Sequence, residues 1–230
     1  ALAAAAGNLA PATKDAPLLG AWLPPNTWMQ RNKARTEAVW GAQRLDQIIV
    51  RPRGGRRWTR ERPESHAELR QAMGFLSGLT QRPSAVAPAN GSAVTYADVC
   101  FEPAKPYAPG CLTYDPLAFW GGSLEKLEAD TDIWAALSKP SAAGGVRGLS
   151  VQRSDVLSVV EGKSGVVEVQ ALMLWLFVDV APERATPGYL EQAAAYETGL
   201  LDACATARGN ASLPFDALGS ISSSVQTEIQ

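Results

Sequence analysis

The chain carries one histidine, His66, and three cysteines, Cys100, Cys111 and Cys204. These four side chains bound most of the nucleophilic and metal chemistry open to it. A Ser-His-Asp or Cys-His arrangement would have to run through His66. That residue stands second in Ser65-His66-Ala67-Glu68, a capping-box pattern that puts it at a solvated helix start. A zinc site needs two paired Cys/His elements, and no second pair accompanies Cys100 and Cys111. Glu125, Glu128, Asp130 and Asp132 could hold a hard cation, but their spacing reads better as exposed helix faces. Gly54-Gly55 and Gly144-Gly145 lie outside any strand–GxGxxG–helix setting. The expectation is therefore no catalytic residue, no metal and no cofactor.

Cys100 and Cys111 flank a Pro-rich stretch, Phe101 to Gly110. A local disulfide is the better reading, and closing a loop of this size stabilises by about 3 kcal/mol in the chain-entropy model. Asn90 (Asn-Gly-Ser) and Asn210 (Asn-Ala-Ser) are N-glycosylation sequons, both where a loop is expected. Together these features favour an oxidising, extracytoplasmic compartment. Cys204 falls on an apolar helix face and reads as a buried thiol; the alternative is a bridge to a segment outside this chain.

Arg51, Arg53, Arg56, Arg57, Arg60 and Arg62 form a basic run around Trp58. Its simplest reading is a solvated connection. The functional reading is contact of Arg53, Arg56, Arg57 and Arg60 with acidic lipid headgroups or an acidic partner. The formal net charge of −2 argues against nucleic acid. Among seven tryptophans, Trp22, Trp28 and Trp40 surround a first helix, Trp175 lies in the main strand, and all four read as core. Phe119, Trp120 and Trp134 pack ordinarily or line an apolar groove for a lipid or partner.

The elements that must position these residues follow from periodicity. Pro17 to Leu23 reads as a strand, 26–40 as a helix, and Arg44 to Arg51 as a strand stopped by Pro52. Val166 to Val180 is the strongest strand. Thr186-Pro187 opens a helix whose apolar face is Tyr189, Ala193, Tyr196, Leu200 and Cys204, and Gly209-Asn210 closes it. Ala211 to Leu218 is a last strand, placed at an edge by Pro214. This is an α+β skeleton with two βαβ halves, 15–51 and 166–218, arranged as in a ferredoxin-like split βαβ sandwich. Residues 1–14 are a lead-in and 219–230 an exit linker. A long, partly helical insertion, 52–165, carries a helix with the stripe Leu69, Ala72, Met73, Leu76 and Leu79. It also carries short helices over Asp115–Trp120, Ser123–Ala129 and Asp130–Leu137, and loops over Gln81–Ser92 and Lys139–Gly148. The longest apolar run, Val166 to Val180, is broken by Glu168, Gln170 and Asp179 and is too short to cross a bilayer as a helix. The absence of an initial Met suits a piece of a longer protein.

Three stretches resemble one family. Ala21-Trp22-Leu23-Pro24-Pro25-Asn26-Thr27, followed by Leu45-Asp46-Gln47-Ile48-Ile49-Val50, is similar to the entry of the first ectodomain of Patched, Dispatched and Niemann-Pick type C proteins. Asp98-Val99-Cys100 through Pro106-Tyr107 to Cys111 resembles that family's Pro-rich cysteine loop, and Asp115 to Leu124 resembles a following aromatic segment. The resemblance spans roughly Asp15 to Leu218. It implies a ferredoxin-like ectodomain of the resistance-nodulation-division superfamily that handles sterol or other lipid, joined to a membrane-embedded remainder. The alternative is a structural or protein-interaction module in a larger membrane or cell-surface assembly.

Overall fold

The structure is a computed structural model that describes residues 43–81, 93–103, 110–143, 149–180 and 186–221. In chain order the elements are β1 (Gln43–Pro52), β2 (Trp58–Thr59), α1 (Glu64–Gln81), α2 (Tyr96–Val99), β3 (Thr113–Tyr114), a 3-10 turn (Pro116–Trp120), α3 (Leu124–Ala129), α4 (Ile133–Leu137), β4 (Ser141–Ala143), β5 (Ser150–Gln152), α5 (Arg153–Val156), β6 (Leu157–Gly162), β7 (Gly165–Asp179), α6 (Pro187–Gly209) and β8 (Phe215–Ser220). The strand expected over 17–23, the helix over 26–40 with its tryptophans, the loop 82–92 with Asn90, and 222–230 of the exit linker lie outside the described residues.

Alternation explains the sheet. In β7, Leu172, Leu174, Leu176 and Val178 are fully buried, whereas Met173, Trp175 and Phe177 are half-buried. In β1, Ile48 and Val50 are buried on the same side. Side chains two apart share a face, so both strands turn a largely apolar face to the core, with the carboxylate of Asp46 buried on it in β1. β1 pairs antiparallel with β7 from Gln43↔Asp179 to Val50↔Leu172, and with β8 from Gln47↔Ser220 to Pro52↔Phe215. The other edge of β7 takes β6 and β3, since Leu172 pairs with both Val50 and Leu157. Among the described strands the main order is β8-β1-β7-β6, and every pairing is antiparallel. The fold is mixed α+β, with an antiparallel sheet and helices. Residues 52–165, expected as an insertion, supply β2, β3 and β6 to this same sheet.

α1 and α6 cover the buried face. The expected stripe of α1 is buried in full: Leu69, Ala72, Met73, Leu76 and Leu79. α6 opens as expected, with Thr186 Oγ1 accepting from Tyr189 N and Pro187 in the first turn. It buries Ala193, Tyr196, Leu200 and Cys204, with Tyr189 only half-covered, and closes at Asn210. The helices meet through Tyr196 Oη donating to Leu79 O at 3.3 Å, and α1 meets β8 through Phe75 and Phe215, whose ring centroids are 5.4 Å apart.

Two local expectations are corrected. Ser65 is not the N-cap of α1, because the helix begins at Glu64. Its buried Oγ accepts instead from Thr59 N (3.0 Å) and Arg62 Nε (3.1 Å), while Glu68 pairs with Arg62 and with Arg56 at 3.7 Å. Lys139–Gly148 is not loop throughout: Ser141–Ala143 pairs with Ser150–Gln152 as a two-stranded antiparallel ribbon. The remaining short helices stand where expected, capped by Asp115, Ser123 and Asp132.

Candidate functional site

The cysteine loop is built against the edge of β7 that also takes β3 and β6. Cys100 closes α2 and forms a bridge with Val178. Phe101 N donates to Phe177 O (2.7 Å), and Leu112 N to Phe101 O (2.9 Å). Both arms are thereby held in register, and Cys100 and Cys111 stand at disulfide distance, Cα–Cα 5.4 Å. Tyr96 Oη secures them, donating to Leu112 O (2.6 Å) and accepting from Phe177 N (3.0 Å). Burial pushes its phenol well above the usual range, so it remains a neutral donor. Such a cysteine pair is compatible with an extracellular location. No described helix is long and apolar enough to cross a membrane.

The arginine run divides in two. Arg53 turns inward: Nη1 donates to Asn210 O (2.6 Å), Nη2 to Ala207 O (3.0 Å) and Arg208 O (2.9 Å), and Nε to Asp216 (2.8 Å). It caps the C-terminus of α6, where free carbonyls and the helix dipole favour a cation. The expected contact of Arg53 with an acidic partner is therefore corrected, since its donors are taken within the fold. Arg56, Arg57 and Arg60 keep exposed guanidiniums, loosely paired with Glu68, Glu168 and Asp132 at 3.7, 3.2 and 3.4 Å. Arg56 and Arg57 border a shallow hollow beside the Gly54-Gly55 turn. Trp58 is fully buried and anchors the run on β7 opposite Val169.

Phe119, Trp120 and Trp134 do not line a groove. All three rings are closed into the main core, with Trp134 only 1% exposed. Trp120 Nε1 donates to Asp130 (2.7 Å), Asp130 also accepts from Asp132 N (2.9 Å), and Asp132 caps α4 and pairs with Arg60. Glu125 and Glu128 are exposed as expected. Among the described residues no three His, Cys, Asp or Glu side chains converge as a metal site. His66 stands in the first turn of α1, as expected, but half-buried, and its Nε2 accepts from Trp134 Nε1 at 2.8 Å. Burial pushes the Cys204 thiol up to about 11 despite the opposing pull of Arg208, so it stays protonated and unreactive near neutrality. Asn210 is exposed at the end of α6, its Oδ1 accepting from the Ser212 hydroxyl at 2.7 Å.

A cleft of about 590 Å³ opens elsewhere, between α1 and α6. Its apolar walls include Phe75, Leu79, Leu200, Ala203, Leu213 and Phe215, and Gln71, Asp202, Thr206 and Asn210 add polar groups. Small residues make the space. Gly74 faces it from α1, where an added Cβ would meet nothing within 4 Å, and Gly199 and Ala203 face it from α6. The size and apolar lining suit a small-molecule site that works by excluding water. The sequence signal was present but faint: small residues at helical spacing on a helix whose other face is core. No protein-family model matches this chain, and no curated protein matches it at a significant level.

Proposed function

We propose that the chain is an extracytoplasmic domain of a Patched- or Niemann-Pick C-like membrane protein, and that it holds a sterol or other lipid non-covalently in the α1–α6 cleft. The cleft carries this reading. It is large enough for a lipid body, and its driving force is apolar area removed from water, about 25 cal/mol per Å². The strand order supports the ferredoxin-like assignment. With β1 as the first strand and β6 as the second, β8-β1-β7-β6 has the order of a split βαβ fold, α1 and α6 being its two crossover helices. On that reading the first half begins at Gln43 and the insertion narrows to 82–156. The cysteine pair supports the compartment.

The test is transfer of a fluorescent sterol and a fluorescent phospholipid between vesicles by the secreted chain. The expected result is accelerated transfer of at least one, abolished by Gly74→Trp, which fills the cleft from α1. Failure to bind either lipid sinks the reading. Peptide mass spectrometry without reductant should recover Cys100 joined to Cys111, and two free thiols would remove the compartment argument. A second reading, a protein-interaction module, is favoured by the exposed guanidiniums of Arg56 and Arg57. It predicts a large interface centred on the β1–β2 turn and no lipid transfer.

A further inference from the structure

Resting on the α1–α6 cleft as a lipid site, we infer that its preferred occupant is a cationic amphiphile: a single chain or fused-ring body bearing one ammonium group, received by Asp202. Among the described lining residues Asp202 is the one with a formal charge, and no described residue forms an ion pair with it. Gly199 and Thr206 lie three residues before it and four after, on the same helix face, and both line the cleft. The carboxylate thus stands beside the apolar trough, where a head attached to a buried body would come to rest.

Charge decides among head groups. A carboxylate or phosphate head would meet Asp202 with like charge, and among the described residues no cationic side chain lines the cleft to offset it. A hydroxyl head would be served equally by Gln71 or Thr206 and would leave Asp202 without a counterion. An ammonium head satisfies the carboxylate and can donate to Gln71 and Thr206 as well. Asp202 is exposed, so the gain is that of an ion pair open to water: about fivefold in affinity at most, and weakened by salt.

Dodecylamine, dodecanol and dodecanoate, each below its micellar concentration, separate the possibilities. Binding to the intact, oxidised chain is measured by calorimetry in low salt. The amine should bind about fivefold more tightly than the alcohol, and the carboxylate most weakly. Asp202→Asn should bring amine and alcohol together without changing affinity for the alcohol, and higher salt should do the same in the parent chain. An amine preference that is absent, or that persists in Asp202→Asn, overturns the head-group assignment and leaves the lipid reading standing. If none of the three binds, or Gly74→Trp folds normally by circular dichroism and still binds all three, both ideas fail. Saturable capture of an amphipathic helical peptide in place of the amphiphiles would reassign the cleft to a protein partner.

Discussion

Trp134 Nε1 donates a hydrogen bond to His66 Nε2 at 2.8 Å, joining α4 to the start of α1. The rings meet edge-on, centroids 6.0 Å apart at 68°. Because Nε2 accepts, the imidazole proton sits on Nδ1. The donor belongs to a fully packed indole, so removing its partner strands a buried N–H. His66→Ala should cost about 1–3 kcal/mol. His66→Gln, which keeps an acceptor, should cost less. Urea unfolding followed by tryptophan fluorescence measures both, and equal losses would show that packing rather than the hydrogen bond is at stake.

Arg53 is a structural clamp, whereas its neighbours are not. It makes four contacts to the end of α6 and to β8, three of them with carbonyls that the helix cannot satisfy itself. Arg53→Ala should destabilise by about 2–3 kcal/mol, and Arg53→Lys should recover only part, because an ammonium cannot span the same acceptors. Arg57→Ala removes a pair whose guanidinium is mostly exposed and should change stability by less than about 1 kcal/mol. Thermal unfolding compares the three. Amide exchange of 207–210 should quicken in the Arg53 variants alone.

The legible parts of the fold were those that sequence-local rules govern. β1, β7, the stripe of α1 and both ends of α6 follow from periodicity, Thr-Pro at an N-terminus and Gly-Asn at a C-terminus. The cysteine pair was legible because both arms are close in the chain. β6 was missed, although Gly162 and Gly165 enclose Lys163-Ser164, a two-residue hairpin signal. Gly165 has φ +108° and its missing Cβ leaves room for Ser138 Oγ, a contact 27 residues away that no local rule reveals. Arg53 looked like its exposed neighbours because its acceptors lie more than 150 residues further on. Phe119, Trp120 and Trp134 follow the ordinary-packing reading, and the α1–α6 cleft was not legible for a related reason. Large aromatics fill space, while the residues that leave space open are glycine and alanine on two helices distant in sequence.

Asp115 makes the fold sensitive to pH in a direction opposite to that of most carboxylates. It caps the 3-10 turn by accepting from Leu117 N at 2.8 Å. Burial nevertheless lifts its carboxyl to about 6, the Leu117 hydrogen bond offsetting only part of the rise. The folded carboxyl therefore holds its proton to a higher pH than the unfolded chain does. Between about pH 4 and 6 the folded state binds more protons, and linkage makes its stability fall as pH rises through that window. Above it the cost of the buried charge is fully present. Asp115→Asn keeps an acceptor for Leu117 N and carries no charge, so it should be more stable than the parent at pH 7, by about 1–3 kcal/mol. The gain should vanish near pH 4, where the parent carboxyl is protonated. Urea midpoints of the two chains from pH 4 to 7.5 measure the difference directly. A difference that stays constant across that range would show that the charge on Asp115 is not what burial penalises.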